Sequence, residues 1–184
     1  TVTTTLPISN NDDVEGRVLV VELDTVSIIN VYYPNGGLGD TDQQQQALLT
    51  KCDMHTALLP IAKRAQQARK HVVFAGDFNI AQEDRDIHPS VLPLMKTGVT
   101  DAERTLLSNL ASHDFVDTWR SCHPHDISFT TWWIGKHARA NNIGLRLDYI
   151  FLGLPPESGY PPRISCTILA DLQGSDHVPL LLNV

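Results

Sequence analysis

The sequence predicts an α/β sandwich in which β-sheets pack against flanking helices. Three observations point there. Short β-branched runs alternate with stretches of helical spacing, in the order strand, strand, helix, strand, helix, then several strands. The 184 residues suit one domain with a real core and are too few for two comfortable ones. Hydrophobic residues make up 42% and charged residues 19% of the chain, the balance of a globular protein rather than a disordered one.

Each element has its own signal. Residues 17–23 (RVLVVEL) and 26–33 (VSIINVYY) are β-branched runs separated by Asp24-Thr25, and read as two strands. Residues 34–40 (PNGGLGD) form a loop on Gly, Pro and Asn content. From Thr41 to about Lys70 the spacing predicts a helix, with Leu48, Leu49, Cys52, Met54, Leu58, Leu59, Ile61 and Ala62 as its apolar face. Pro60 should kink or divide it. Residues 71–81 (HVVFAGDFNIA) give a continuous apolar run ending in Gly-Asp, the pattern of a buried strand that emerges into a loop. Thr100 and Glu103 form a capping box before a second helix. Residues 115–119, 129–133, 145–153, 164–170 and 178–184 supply the remaining strands. There is no internal repeat and no long linker.

Composition excludes several classes of protein. No stretch approaches the roughly 18–20 apolar residues of a membrane span. The first residues carry no basic segment followed by an apolar one, so they do not read as a secretory signal, and without an initiator Met the chain is expected to begin part-way through something. Cys52, Cys122 and Cys166 are odd in number and widely spaced, and read as reduced thiols of an intracellular protein. The net charge of −7 argues against a generally basic nucleic-acid wrapper but leaves room for a local basic rim. Lys63, Arg64, Arg69 and Lys70 read as a solvated helix face, while Lys136, Arg139 and Arg146 lie among the chemical motifs.

Four segments carry those motifs. Gly76-Asp77-Phe78-Asn79 ends the most apolar strand, and period-two alternation puts Asp77 and Asn79 together with Phe78 turned to the core. Alone, Asp-x-Asn is also a common turn. Arg146-Leu147-Asp148-Tyr149 places two charges in an apolar strand, where they need partners; an internal salt bridge is the bland alternative. Ser175-Asp176-His177-Val178-Pro179 precedes the last strand. His177 suits proton transfer near neutral pH. Its neighbour Asp176 should face the other way, so the carboxylate that orients His177 should be Asp148. Phe129-Thr130-Thr131-Trp132-Trp133, followed by Lys136, Arg139, Asn141, Asn142 and Gly144, interleaves aromatic rings with cations and amides. That suits stacking on a nucleoside or lining a sugar pocket, and equally a core strand.

In this order the four segments resemble the signature of the endonuclease/exonuclease/phosphatase superfamily. Glu15-Gly16-Arg17, Val31-Tyr32-Tyr33-Pro34-Asn35, Asp86, Asp117-Thr118-Trp119-Arg120, His123-Pro124 and Ala138-Arg139 extend the likeness from about residue 15 to the end of the chain. The tryptophan segment and its continuation are most similar to the exonuclease III and class II abasic-endonuclease branch. The resemblance implies a DNase I-like four-layer sandwich of which this chain supplies about one half, as the C-terminal portion of a single domain. It implies hydrolysis of a DNA phosphodiester 5′ to an abasic site, with 3′-end trimming, in base excision repair. Asp148 would orient His177, Asp77 would position or deprotonate water, Asn79 would hold a phosphate oxygen, and Tyr32 would bond the phosphate with Asn35 nearby. Asp176, with Asp77, Asn79 and His177, would serve Mg²⁺ or Mn²⁺. Trp132, Leu145, Arg139, Asn142 and Arg146 would contact substrate.

Two departures stand against full transfer. Leu145 occupies a pocket position that is aromatic in many abasic endonucleases. The segment that supplies a further Asn and a metal-binding Glu is missing, since Asp12, Asp13 and Glu15 lead into a different strand. The chain is then a piece of a full nuclease, half of a split enzyme completed by a second chain, or a family member kept as a structural subunit. A phosphatase of the same superfamily is a further alternative. Nucleus and mitochondrion are the expected compartments.

Overall fold

The computed structural model describes residues 1–3, 16–37, 41–132, 135–155 and 164–184. Asp12, Asp13, Glu15 and Trp133 lie outside the described residues. The elements run β1 (Val2–Thr3), β2 (Val18–Glu22), β3 (Val26–Tyr32), α1 (Thr41–Gln67), β4 (His71–Asp77), α2 (Asp101–Ala111), β5 (Phe115–Asp117), α3 (Thr118–Cys122), β6 (Asp148–Gly153), β7 (Ser165–Ile168) and β8 (Leu180–Asn183). β1 to β6 build a six-stranded mixed sheet in the order β1-β2-β3-β4-β6-β5, and β7 pairs with β8 in a small second sheet. This is the mixed α/β architecture that the order of segments predicts.

Alternation decides what each face of the large sheet does. Val20, Ile29, Phe74 and Phe151 form a buried row across four strands, beneath Met54, Leu58 and Ala62 of α1 and Leu107 and Leu110 of α2. Phe78, just past β4, sits among Tyr33, Phe74, Tyr149 and Phe151 with ring centroids 5.2–5.6 Å apart. Tilted and edge-on pairs of this kind add roughly 0.5–1.5 kcal/mol each beyond burial. The opposite face carries the rows Val21–Ile28–Val73–Leu152, Leu19–Asn30–Ala75–Ile150 and Tyr32–Asp77–Asp148. Most of these side chains are half-buried or exposed, with Leu19 at 38% and Tyr32 at 49%.

Helix α1 departs from its predicted apolar face. The buried stripe is Ala47, Thr50, Lys51, Met54, His55, Leu58, Ala62, Ala65 and Gln66, at the 3–4 residue spacing of one helix face. Leu49 is exposed and Lys51 is fully buried. Lys51 Nζ reaches Glu103 Oε1 of α2 at 2.6 Å, and Glu103 closes the predicted capping box with Thr100. Pro60 neither divides nor ends the helix; it is exposed, on the solvent side where a lost hydrogen bond is replaced by water.

Two predicted strands change character. Residues 115–119 split into β5 and α3, because the Asp117 side chain accepts the Arg120 N–H and caps a helix there. Residues 129–132 form no strand; Thr131 makes single bridges to Leu145 and His177 instead. Cys52, Cys122 and Cys166 are free thiols. Among the described residues no helix is long and apolar enough to cross a membrane.

The charge that the sequence places inside a strand segment is resolved by an internal network. Arg146 is 0% exposed. Its guanidinium bonds both carboxylate oxygens of Asp86, at 2.8 and 3.1 Å, and Asp117 at 2.7 Å. Arg120 adds a second cation on Asp86 at 2.7 Å. The Trp119 and Tyr149 rings lie 5.2 and 4.4 Å from the Arg146 guanidinium carbon. Substitution Arg146→Met should therefore take the cation from Asp117, leave Asp86 with Arg120 alone, and lower the unfolding free energy by about 3–5 kcal/mol, read from urea titration. Arg146→Lys should recover little of it, because an ammonium cannot fork between them.

Candidate active site

The site grows from the third row of the open sheet face. Tyr32, Asp77 and Asp148 are register partners on β3, β4 and β6. Gly76 lets these strands close up: it holds φ +133°, and a Cβ there would lie 2.0 Å from the Val31 carbonyl oxygen. β4 stops at Asp77 because the carboxylate bends the chain. Asp77 Oδ1 accepts the Asn79 N–H at 2.8 Å, an Asx turn, and Asn79 takes φ +48°. Asn79 thus returns to Asp77 by a turn rather than by strand alternation. Its Nδ2 donates to Asp77 Oδ2 at 3.1 Å and to the Tyr33 carbonyl at 2.8 Å.

His177 arrives from the segment that leads into β8. Its Nδ1 lies 2.8 Å from Asp148 Oδ2, the pairing expected from the opposite facing of Asp176. Asp148 is fixed in turn by Thr130, whose buried hydroxyl accepts the N–H groups of Leu147 and Asp148 at 3.0 and 3.1 Å. Asp176 is exposed, accepts a hydrogen bond from the Ser175 hydroxyl at 3.3 Å, and is close enough for its charge to act on His177.

Two like charges side by side set the electrostatics. Burial, and then the charge of Asp148, push the Asp77 carboxyl up to about 7. The hydrogen bond to Asp148 raises His177 to about 8 against the opposing effect of burial. Both groups then exchange protons near neutral pH, which suits proton transfer. Both shifts have the same sign for stability. The folded chain holds more protons than the unfolded one between pH about 4 and 8, so these two groups weaken the fold as pH rises through that window.

The structure brings Asp77, Asn79, Asp148 and His177 together and puts Tyr32 beside them in the row. Other sequence-derived assignments fare differently. Asn35 lies in the exposed loop after β3, where its side-chain oxygen accepts the Gly37 N–H at 2.7 Å. Leu145 is 0% exposed and packs with Ala81, Ile87, Val91 and Leu147, so it does not line an open sugar pocket. Arg146 is buried and its guanidinium is engaged by Asp86 and Asp117. Trp132 and Arg139 border a cavity of about 530 Å³, and Trp132 Nε1 donates to Asn142 Oδ1 at 3.1 Å. The Arg139 guanidinium donates to backbone carbonyls, and is not a free substrate contact.

Two supports escaped the sequence reading. Lys51 donates to the Asn79 carbonyl at 2.9 Å from inside the core, and Thr130 holds Asp148. A lysine on a helix and a threonine near a tryptophan carry no periodic signal that separates them from surface residues. As a metal site the arrangement is incomplete. Oxygen donors of Asp77, Asn79 and Asp176 suit a hard cation, but among the described residues no three His, Cys, Asp or Glu side chains gather into a cage.

The model of the endonuclease/exonuclease/phosphatase family matches residues 7–177. The chain belongs to that family. It is 32% identical over 177 residues to an exodeoxyribonuclease of Bacillus subtilis (strain 168), covering 94% of this chain and 66% of that protein. It is 30% identical over 179 residues to a DNA-(apurinic or apyrimidinic site) endonuclease of Dictyostelium discoideum, covering 91% and 45%. A solved 3′-5′ exonuclease from Neisseria meningitidis superposes with a TM-score of 0.80 at 25% identity, over 99% of this chain and 70% of that one. An AP endonuclease from Archaeoglobus fulgidus gives 0.79 at 24% identity over 99% and 69%, a likeness of fold. The family member described here thus spans about two thirds or less of the curated relatives' length.

Replacing Asp148 by Asn removes the main cause of the His177 shift and the second cause, after burial, of the Asp77 shift. In NMR titrations the His177 imidazole of Asp148→Asn should fall from about 8 toward the ordinary histidine value, and the Asp77 carboxyl should fall from about 7. Unchanged values in the variant would refute the geometry of the triad.

Proposed function

We propose that this chain carries the Asp–His side of a DNA phosphodiesterase site that cleaves next to abasic sites and trims 3′ ends. The observation that carries the reading is the Asp148–His177 hydrogen bond set beside Asp77 in one strand register. In this reading Asp77 takes the proton of the attacking water. His177, protonated below about pH 8 and oriented through Nδ1, turns Nε2–H to the phosphate. Asn79, locked to Asp77, presents its side-chain oxygen, and Tyr32 supplies a hydroxyl from the neighbouring strand. The names of the Bacillus and Dictyostelium relatives support DNA as the substrate.

The family is one of metal-dependent nucleases, and Mg²⁺ or Mn²⁺ is the cation proposed here. Asp77, Asn79 and Asp176 offer the oxygen atoms that such cations prefer. Among the described residues they do not enclose an ion, so a further carboxylate would be needed to complete the shell. The half-exposed sheet face that bears Tyr32 and Asp77 is where a second layer of the sandwich, carrying that carboxylate, would pack.

On a duplex with a single abasic site, Mg²⁺ should support cleavage 5′ to the lesion and EDTA should stop it. His177→Ala should lower the rate by roughly 10²–10⁴-fold while the melting temperature changes little. Turnover of inositol phosphates with none on DNA would overturn the assignment.

A further inference from the structure

Arg139 is a half-buried cation whose guanidinium turns back onto the backbone of a neighbouring loop. Its guanidinium donates to the carbonyl oxygens of Ala170 at 2.7 Å, of Ser175 at 3.2 Å, and of Leu172. It also lies over the Trp132 ring, 5.1 Å from the centroid. The three carbonyls belong to a segment that pairs with no strand and runs exposed from Ala170 to Asp176, with Gly174 at φ +117°. Backbone carbonyls outside helices and sheets need other donors, and a guanidinium offers five in a fixed fork.

The segment is pinned at both ends by backbone bonds. Leu169 N–H donates to the Pro179 carbonyl at 2.9 Å, and Trp132 N–H donates to the Asp176 carbonyl at 3.1 Å. Arg139 holds the stretch between those ends. The contact passes on to the site through Ser175. The carbonyl of Ser175 is bound by Arg139, while its hydroxyl accepts the His177 N–H at 3.1 Å and donates to Asp176 Oδ1.

We propose that Arg139 is a positioning residue, which fixes the 170–175 loop and thereby sets the placement of Asp176 and His177, without touching substrate. This rests on the reading of His177 as a reactive group, but its test needs no turnover. Amide hydrogen exchange and the His177 ring signals would be followed in Arg139→Gln, with Lys136→Gln as a control cation on the same turn. In Arg139→Gln the His177 amide should exchange about tenfold faster, the loss expected for charged hydrogen bonds. The Nδ1 proton shared with Asp148 should broaden, while the β4 amides of Val73 and Ala75 stay protected. Lys136→Gln should change none of these. Added methylguanidinium should restore protection in Arg139→Ala, a rescue that a general loss of folding would not show. Unaltered exchange at His177, equal acceleration in β4, or failure of the rescue would each overturn the proposal. In the abasic-site assay the positioning role lowers kcat with KM nearly unchanged. A rise in KM alone would return Arg139 to substrate binding.

Discussion

The buried Arg146 cation constrains everything around it. A guanidinium removed from water costs several kcal/mol unless its donors are taken by carboxylates. Asp86 and Asp117 must therefore come to it, from a loop after β4 and from the end of β5. Asp86 also accepts Arg120, and its carbonyl takes the Arg146 N–H at 2.8 Å. One charge thereby ties the β4 loop, the β5–α3 corner and the entry to β6 into a single unit. Asp148 lies two residues further along, so its place at the sheet margin follows from where Arg146 is anchored. Burial disfavours the Arg146 charge, yet Tyr149, Asp117 and Asp86 outweigh it, and the cation is held more firmly than in water. It is a permanent strut.

On that strut the site sets up a deliberate conflict. Asp77 and Asp148 are neighbours in register, and two carboxylates so placed resist being ionised together. His177 relieves one side of the conflict by pairing with Asp148. Asn79 relieves part of the other by giving Asp77 two hydrogen bonds. Burial first, and the remaining repulsion from Asp148 second, leave Asp77 holding its proton up to about pH 7. Lys51 and Thr130 matter because the conflict would otherwise relax by movement. Each grips the backbone of a reacting segment from the packed side of the sheet or the loop behind it.

What the sequence made legible follows from which residues alternation can and cannot place. Gly-Asp-Phe-Asn was readable because an apolar run must end where a charge appears. The partnership of Asp148 with His177 was readable because Asp176 and His177 cannot share a face. Leu145 and Arg146 were only half legible because a face is half an answer; the sequence does not say what covers it, and here Ile87 and Asp86 do. The apolar face of α1 was misdrawn for the opposite reason. Lys51 and His55 are buried polar groups with partners on α2, and no hydropathy pattern separates them from solvent-facing residues. The tryptophan segment lacks a continuous partner strand, so its β-rich composition yields only isolated bridges.

The open sheet face joins the packing argument to the chemical one. Val21, Ile28, Val73 and Leu152 make an apolar row on the same face as Tyr32, Asp77 and Asp148. β8 lies against β6, and the end of the segment leading to it delivers His177. Toward β2 and β3 the face is less covered, as the 38% exposure of Leu19 and 49% of Tyr32 show. Apolar side chains in rows favour a second layer, and a carboxylate on such a layer would meet Asp77 at the margin of the sheet. Covering the face would also remove water from the site, which strengthens every charge interaction there. In the proposed reading, completing the core and completing the reactive centre are therefore the same event.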